Sequence, residues 1–231
     1  MTFSKRRKDR CLNSIRTILS HTHKKKSPEE SMASLEHHFL SPSGILESSA
    51  YMLAKEGLSE AEAQLLSLIP DLTRYTLREN FGTRPKIDRL SVASEYLKTL
   101  YIGLPVEQFN VLCLDSNGRL IQCKMLQQGS VDETPFYLSH LLQDVVFTDA
   151  RAIVLSHNHP GGTRRPSKAD VQSTLSAISA LYSMGVPVLD HIIIADGNPV
   201  SMRGYGVVNS KLWVNQDPTS ALLRNWLDIE I

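Results

Sequence analysis

Cysteine is scarce in this chain of 231 residues, which contains only three. Cys11, Cys113 and Cys123 lie far apart and form no C-x-x-C pair. This spacing excludes a disulfide framework and a cysteine-based zinc site, and it is typical of a protein in the reducing cytoplasm. A zinc deaminase is excluded as well, because the sequence lacks both H-x-E and P-C-x-x-C.

Long apolar runs are also missing. No stretch approaches the roughly 18 consecutive apolar residues of a membrane-spanning helix. The basic N-terminal segment is not followed by the apolar region of a secretion signal. We therefore expect neither a membrane partner nor secretion, and we expect a cytoplasmic location.

The net charge is only +1, but the charges are unevenly distributed. Residues 1–26 contain nine Lys or Arg and one Asp, which leaves 16 basic and 23 acidic residues for the rest of the chain. We expect residues 1–27 to form a basic flexible arm before an acidic body. Such an arm could contact DNA or anionic lipid, or it could simply be a solvated terminus.

The apolar pattern beyond the arm predicts two folded parts and a tail. Residues 28–82 carry apolar side chains at three- and four-residue spacing, with Ser59 and Glu62 as a capping box, and are predicted to form a small helical domain. From residue 83 to residue 215, strands and helices alternate after an initial hairpin, which indicates an α/β domain. The predicted strands are 109–115, 119–126, 150–156, 186–195 and 199–202. We expect residues 216–231 to form a C-terminal tail.

The segment HNHPGGTRRPSKAD, residues 157–170, carries the main chemical signal. In an extended chain His157 and His159 point to the same side, so both rings can converge on one point. Glycines and prolines then turn the chain, and the next helix returns Asp170 on its first turn. Two histidines and one carboxylate leave a tetrahedral zinc with one open position, as in catalytic sites.

The same residues allow a plainer interpretation. Ser167 and Asp170 form an S-x-x-D pattern, which is typical of a helix cap with an acid in the first turn. An H-x-H pair is also weak by itself, because His21 and His23 form one in the basic arm without a preceding strand or a following aspartate. Metal ligand and helix cap therefore stay open for Asp170 at this point.

The complete pattern H-N-H-x7-S-x2-D, with a glutamate upstream, resembles the JAMM motif of MPN (JAB) domain metalloproteins. The longer stretches EQFNVLCLDSNGRLIQ, AIVLSHNHPGGTRRPSKAD and GVPVLDHIIIADGNPVS resemble the RadC-like branch, which is associated with DNA repair. The resemblance is strong over residues 85–207 and weak over residues 28–81, which look like a degenerate helix-hairpin-helix. One departure is Gly161, where the RadC-like pattern usually has serine.

The resemblance implies a fold and a set of roles. The fold would be a mixed β-sheet flanked by helices, of the cytidine-deaminase-like MPN class. His157, His159 and Asp170 match zinc ligands. Glu107 matches the glutamate that takes a proton from the attacking water. Ser167 matches the serine that steadies the oxyanion of the intermediate.

His191, in the apolar run LDHIII, also matches the RadC-like pattern. It is either a hydrogen-bonded core residue or a residue that supports a metal ligand from behind.

The resemblance therefore predicts a zinc-dependent hydrolase acting on a peptide or isopeptide. The alternative is a non-catalytic, DNA-associated binding module with a structural or vestigial metal site, in which the basic arm contacts the DNA.

Overall fold

The computed structural model describes residues 3–22, 27–129, 134–213 and Trp226. The chain divides into two compact units. One consists of Met1–Thr76 and Ile102–Pro105, and the other of Leu77–Tyr101 and Val106–Ile231. The boundary that the sequence suggested, between residues 82 and 83, falls inside the second unit.

The first unit is helical. Its helices are α1 (Phe3–Ser20), α2 (Pro28–His38), α3 (Pro42–Leu46), α4 (Ala50–Lys55) and α5, which spans Glu60–Glu79 and begins here. Their inward faces form one apolar core that includes Ile15, Leu35, Ile45, Leu53 and Leu66.

The flexible arm predicted for residues 1–27 is wrong for Phe3–Ser20, which form α1. The physical reason is a short apolar stripe among the basic residues. Ile15 and Leu19 lie four positions apart on one face of the helix, and both are buried in the helical core. Burial of this stripe stabilises α1 despite its charge, while Lys8 and Arg10 remain exposed.

A capping box starts helix α5, and the helix continues through a proline. The predicted capping box is confirmed: the Ser59 N–H donates to Glu62 at 2.8 Å, and the Glu62 N–H donates to the Ser59 hydroxyl at 3.3 Å. The helix runs without a break through Pro70. Proline removes one backbone hydrogen bond. Pro70 and Leu66 are both buried on the inner face of this continuous helix.

The second unit is built on a five-stranded mixed sheet. The strands are β1 (Gln108–Leu114), β2 (Leu120–Gln128), β3 (Ala152–His159), β4 (Val188–Ala195) and β5 (Asn198–Ser201). Their spatial order is β2-β1-β3-β4-β5, and only β3 and β4 are parallel. The predicted fold class, a mixed sheet flanked by helices with a helical region before it, is confirmed.

Helices cover the sheet. They are α6 (Leu90–Leu100), α7 (Thr134–Thr148), α8 (Lys168–Tyr182), α9 (Met202–Tyr205) and α10 (Ser210–Trp213). Every residue of β4 is buried, and β3 is buried up to Asn158. Such uniform burial is typical of a strand covered on both faces. Each fully buried aliphatic side chain contributes roughly 1.5–3 kcal/mol to stability.

The hairpin predicted around residues 116–118 is present. The Asp115 carboxylate accepts hydrogen bonds from the backbone N–H groups of Asn117 and Arg119, both at 2.9 Å. Of the predicted tail, residues 216–231, all but Trp226 lie outside the described residues, and Trp226 is buried. Among the helices that the structure describes, none is both long enough and apolar enough to cross a bilayer.

Candidate metal centre

Strand β3 positions the two histidines of the motif. It runs through His159, three residues further than the predicted strand 150–156, because its parallel pairing with β4 continues to His159 opposite Ala195. His157 and His159 therefore share one face of the strand, and their Nε2 atoms approach to 2.9 Å. The intervening Asn158 points to the other side.

The loop after β3 turns tightly next to His159. The Gly162 N–H donates to the His159 carbonyl at 2.9 Å. Gly162 has φ +74°, and a Cβ there would lie 2.6 Å from the Asp196 carboxylate, so this position requires glycine. A Cβ at Gly161 would meet nothing within 4 Å. A side chain would therefore fit at position 161, so the structure does not require glycine there.

Ser167 and Asp170 hold the start of α8. The Asp170 N–H donates to the Ser167 hydroxyl at 3.1 Å, and the Ser167 N–H donates to Asp170 Oδ2 at 2.6 Å. This is the capping box that the S-x-x-D pattern predicts. The box also aims the buried Asp170 carboxylate at the two histidines.

Four potential ligands converge at the end of β3. His157 Nε2 lies 3.2 Å from Asp170 Oδ1, and His159 Nε2 lies 3.5 Å from Asp170 Oδ2. Glu107, just before β1, places Oε1 4.0 Å from His157 Nε2. One donor atom from each of the four residues lies within 4.8 Å of the others, a cluster that could hold a metal ion.

Pairing of β1 with β3 brings Glu107 to this place. The strands are antiparallel, and Phe109 lies opposite His157, so the beginning of β1 meets the end of β3. Asn158 then holds the chain on both sides of Glu107. Its side-chain amide donates to the Val106 carbonyl at 3.0 Å and accepts from the Gln108 N–H at 2.8 Å.

Hydrogen bonds behind the histidines orient their rings. His159 Nδ1 lies 2.6 Å from the Thr163 carbonyl, which can only accept, so Nδ1 carries a proton. His157 Nδ1 lies 2.8 Å from His191 Nε2. His191 Nδ1 in turn lies 2.6 Å from the Thr174 hydroxyl. These contacts fix the rings at their outer nitrogens and direct both Nε2 atoms at the cluster.

A family model described as RadC-like JAB domain matches residues 87–207, more than half of the chain. This chain belongs to the RadC-like JAB domain family. The matched region contains the whole ligand cluster and all five strands.

Curated relatives of this RadC-like JAB domain protein carry the name UPF0758 protein. One from Pseudomonas fluorescens strain Pf-5 is 35% identical over 150 residues, 65% of this chain and 67% of the relative. One from Acidovorax sp. strain JS42 is 35% identical over 166 residues, 71% of this chain and 70% of the relative. A third, from Pseudomonas fluorescens strain SBW25, is 32% identical over 181 residues, 76% of this chain and 81% of the relative.

The cluster of this RadC-like JAB domain shifts the titration of its own members. Burial acts to raise the pKa of Asp170, but hydrogen bonds from His157 and His159 outweigh it and hold that pKa well below its ordinary value. The hydrogen bond to Asp170 raises the pKa of His159, against the opposing effect of burial. Burial lowers the pKa of His191 well below its ordinary value, and His157 adds to the effect. Asp170 is thus held as a carboxylate, the form that binds metal.

The structure brings together Glu107, His157, His159 and Asp170, and it places Ser167 at the adjoining cap. Asp170 caps α8, as the S-x-x-D pattern predicts, and its carboxylate also belongs to the cluster that could hold a metal ion; its role as a ligand stays a prediction. His191 is likewise both a buried core residue and a contact of His157.

The sequence pattern did not single out two supporting residues, Asn158 and Thr174. Thr174 had a faint signal, because it lies one helical turn after Asp170 on the same face. In the basic segment, the ring of His21, just after α1, contacts the Thr17 carbonyl of that helix, and His23 lies outside the described residues.

Proposed function

We propose that this protein is a zinc-dependent hydrolase of JAMM type that cleaves a peptide or isopeptide bond in the cytoplasm. The observation that carries the proposal is the convergence of Glu107, His157, His159 and Asp170, whose donor atoms lie within 4.8 Å of one another. Membership of the RadC-like JAB family supports the same assignment.

The donor set fits zinc. Imidazole nitrogen and carboxylate oxygen are common zinc ligands, and three protein ligands leave one position for water or substrate. His157, His159 and Asp170 would hold the ion. Bound there, zinc would supply Lewis acidity and lower the pKa of a coordinated water toward about 7.

Glu107 suits the role of general base. Its side chain is 28% exposed, whereas the side chain of His157 is fully buried and that of Asp170 is 4% exposed. The Glu107 carboxylate can therefore meet both solvent and the ligands. It would accept a proton from the attacking water and return that proton to the leaving nitrogen.

Ser167 suits the role of oxyanion donor. Its hydroxyl oxygen accepts the Asp170 N–H at 3.1 Å. That bond uses a lone pair and leaves the hydroxyl proton to donate. The residue is exposed, so a substrate carbonyl can reach it. A hydrogen bond from this proton would stabilise the negative charge that develops on the scissile carbonyl oxygen.

The first experiment measures metal content by plasma mass spectrometry on the untagged full chain and on Asp170→Ala. We expect about one zinc per chain in the wild type and its loss in the variant. Glu30→Ala is the matched control, because Glu30 occupies the same position in the capping box of α2, and this variant should retain the zinc. No zinc in the wild type, even after zinc is supplied, would leave Asp170 as a helix cap alone.

The second experiment compares zinc-loaded wild type with zinc-loaded Glu107→Gln. The probes are a mixture of internally quenched peptides and a peptide with a branch through a lysine side-chain amide. We expect hydrolysis in the wild type and a loss of at least 100-fold in the variant, at unchanged zinc content. Equal rates in the two proteins would refute the role of Glu107.

A second candidate function, binding to DNA, is favoured by the charge on α1. Lys8 and Arg10 are exposed on this helix, and further basic residues precede them. Binding to phosphates predicts an affinity for duplex DNA that falls steeply with salt. We expect Lys8→Ala with Arg10→Ala to lower the affinity and to reduce the slope of its salt dependence by about two. Arg151→Ala, an exposed arginine of the other unit, is the control; unchanged binding by the α1 variant would refute the role of this helix.

A further inference from the structure

Three cations border the candidate metal centre, namely Arg164, Arg165 and Lys168, and all three are exposed. None of them forms an ion pair or a side-chain hydrogen bond with a residue in the part of the chain that the structure describes. Other exposed cations on the same unit hold acidic partners, in the pairs Arg84–Asp115, Lys124–Asp144 and Arg151–Asp149. The three cations at the metal centre are therefore available to a ligand.

The path of the chain places these cations at the edge of the cluster. His159 Nδ1 lies 2.6 Å from the carbonyl of Thr163, the residue before Arg164. At the other end of the segment, the backbone N–H of the residue before Lys168 donates to Asp170 Oδ2 at 2.6 Å. Each of these bonds includes a member of the cluster, so the basic segment begins and ends beside the candidate ligands.

The nearby acidic groups leave this positive charge unpaired. Glu107 and Asp170 belong to the cluster itself. Asp196 lies against the same loop, since a Cβ on Gly162 would be 2.6 Å from its carboxylate, but it forms no ion pair with a described residue. Beyond residue 26 the chain has 23 acidic and 16 basic residues, so a positive edge runs against the composition of the body. Such a local charge attracts anions.

We propose that Arg164, Arg165 and Lys168 form a basic rim that selects a peptide or isopeptide with acidic residues next to the scissile bond. The inference rests on the proposed function and names its substrate class. An arginine guanidinium binds a carboxylate through two parallel N–H donors, and a lysine ammonium adds a point charge. Because exposed charges act over about 10 Å at roughly 0.1 M salt, the rim also attracts an acidic chain before contact.

Two internally quenched peptides test the rim on the zinc-loaded full chain. Their central residues are identical, and the flanking residues are glutamates in one peptide and lysines in the other. We expect kcat/KM to be about tenfold or more higher for the glutamate peptide at low salt. The ratio should fall below about threefold at high salt, because salt screens exposed charges. Equal kcat/KM values for the two peptides at low salt would overturn the proposal.

Reversing the charge of both arginines gives a sharper result. We expect Arg164→Glu with Arg165→Glu to favour the lysine peptide, mainly through KM, at unchanged zinc content. Arg164→Lys with Arg165→Lys keeps the charge and should keep the preference for glutamate. Arg151→Glu is the matched control, because Arg151 is an exposed arginine of the same unit, and it should leave the ratio unchanged. A preference for glutamate that survives the charge reversal would contradict the role of the rim.

Binding of the same peptides separates this inference from the proposed function. Fluorescence anisotropy on full-chain Glu107→Gln measures affinity without cleavage. Tighter binding of the glutamate peptide, lost on charge reversal, would support the rim even if the wild type cleaves neither peptide, and the hydrolase assignment alone would then fail. Cleavage of both peptides at equal rates would support the hydrolase and overturn the rim.

A short DNA duplex tests the other polyanion that a basic rim could bind. We expect the charge reversal to lower the affinity for the glutamate peptide more than the affinity for the duplex. If it lowers only the affinity for the duplex, the rim binds nucleic-acid phosphates and the proposal fails.

Discussion

Ser167 and Asp170 each hydrogen-bond the backbone N–H of the other, at 3.1 Å and 2.6 Å. One oxygen of Asp170 is thereby tied to the first turn of α8, while its other oxygen lies 3.2 Å from His157. The helix cap is thus the device that aims the carboxylate. The stability of the helix and the geometry of the candidate metal centre therefore depend on the same pair of residues.

Ser167→Ala separates these two contributions. The variant loses the acceptor for the Asp170 N–H, which costs about 1 kcal/mol of stability. It retains the backbone N–H of residue 167, so the Asp170 carboxylate keeps its partner and zinc affinity should change less than tenfold. Hydrolysis should fall by about 100-fold if the hydroxyl stabilises the oxyanion. Urea unfolding, zinc competition and peptide hydrolysis measure the three quantities.

Ser27→Ala is the matched control for the cap. Ser27 and Glu30 form an equivalent capping box on α2, with bonds of 3.2 Å and 2.9 Å. This variant should lose similar stability and keep full hydrolysis. If Ser27→Ala and Ser167→Ala lose activity equally, the effect of Ser167 is a consequence of stability alone.

Asn158 provides the second prediction, because it fastens both neighbours of Glu107. Asn158→Asp keeps the acceptor for Gln108 but loses the amide that donates to the Val106 carbonyl. Glu107 should then shift, and hydrolysis should fall by about 10- to 100-fold with the zinc content unchanged. Rates per bound zinc and their pH profile check this result.

Asn110→Asp is the control for Asn158. Asn110 is also a buried asparagine, on β1, and donates to the Tyr101 hydroxyl at 3.1 Å. Its replacement should lower stability but leave the rate per bound zinc close to wild type. A zinc content that falls together with the rate in Asn158→Asp would show that Asn158 supports the ligands rather than Glu107.

The third prediction concerns pH and the metal-free protein. The pKa of His159 is raised above its ordinary 6.5, and that of Asp170 is lowered below its ordinary 3.8. The histidine contributes stability that is complete below pH 6.5 and lost as the pH rises through its folded pKa. The carboxyl contributes stability above pH 3.8 that is lost as the pH falls. The unfolding free energy lost in His159→Gln should therefore be largest between pH 3.8 and 6.5.

Urea unfolding of metal-free wild type and metal-free His159→Gln across this pH range measures the difference in their unfolding free energies. A difference that keeps growing above pH 7 would contradict the raised pKa of His159. Zinc affinity should depend on pH in the opposite direction, because an ion that binds His159 must displace the proton of that histidine. Zinc affinity should rise with pH by up to about tenfold per unit until His159 is neutral. An affinity independent of pH between 6 and 8 would show that no such proton is displaced.

The parts of this site that depend on local periodicity can be read directly from the sequence. His157 and His159 alternate along a strand, and Asp170 falls in the first turn of the following helix, so spacing alone is enough to place them. Glu107 had no local signal, because an acid before a strand is common on protein surfaces. Only the resemblance to the JAMM motif identified it.

The contacts of Asn158 and His191 could not be predicted from the sequence, for a different reason. Asn158 reaches residues 50 and 52 positions away, and His191 reaches His157 across 34 positions. Such contacts depend on which strands become neighbours and in which register, and no spacing along the chain encodes that. The middle residue of H-N-H thus looked like a spacer, although its amide holds the segment that carries Glu107.

Helix α1 was not predicted, because its many basic residues indicated a flexible arm although an apolar stripe runs along one face. The burial of this stripe gives the last prediction. Leu19 is completely buried in the helical core, so Leu19→Ala should lower the unfolding free energy by roughly 2–5 kcal/mol. Lys8→Ala, an exposed change in the same helix, should alter it by less than about 0.5 kcal/mol. Urea unfolding followed by far-ultraviolet circular dichroism measures both. Equal stability of Leu19→Ala and wild type would mean that α1 does not belong to the folded core. The predicted outcome means instead that deleting the basic segment would damage the fold, so its affinity for DNA must be tested by single charge substitutions.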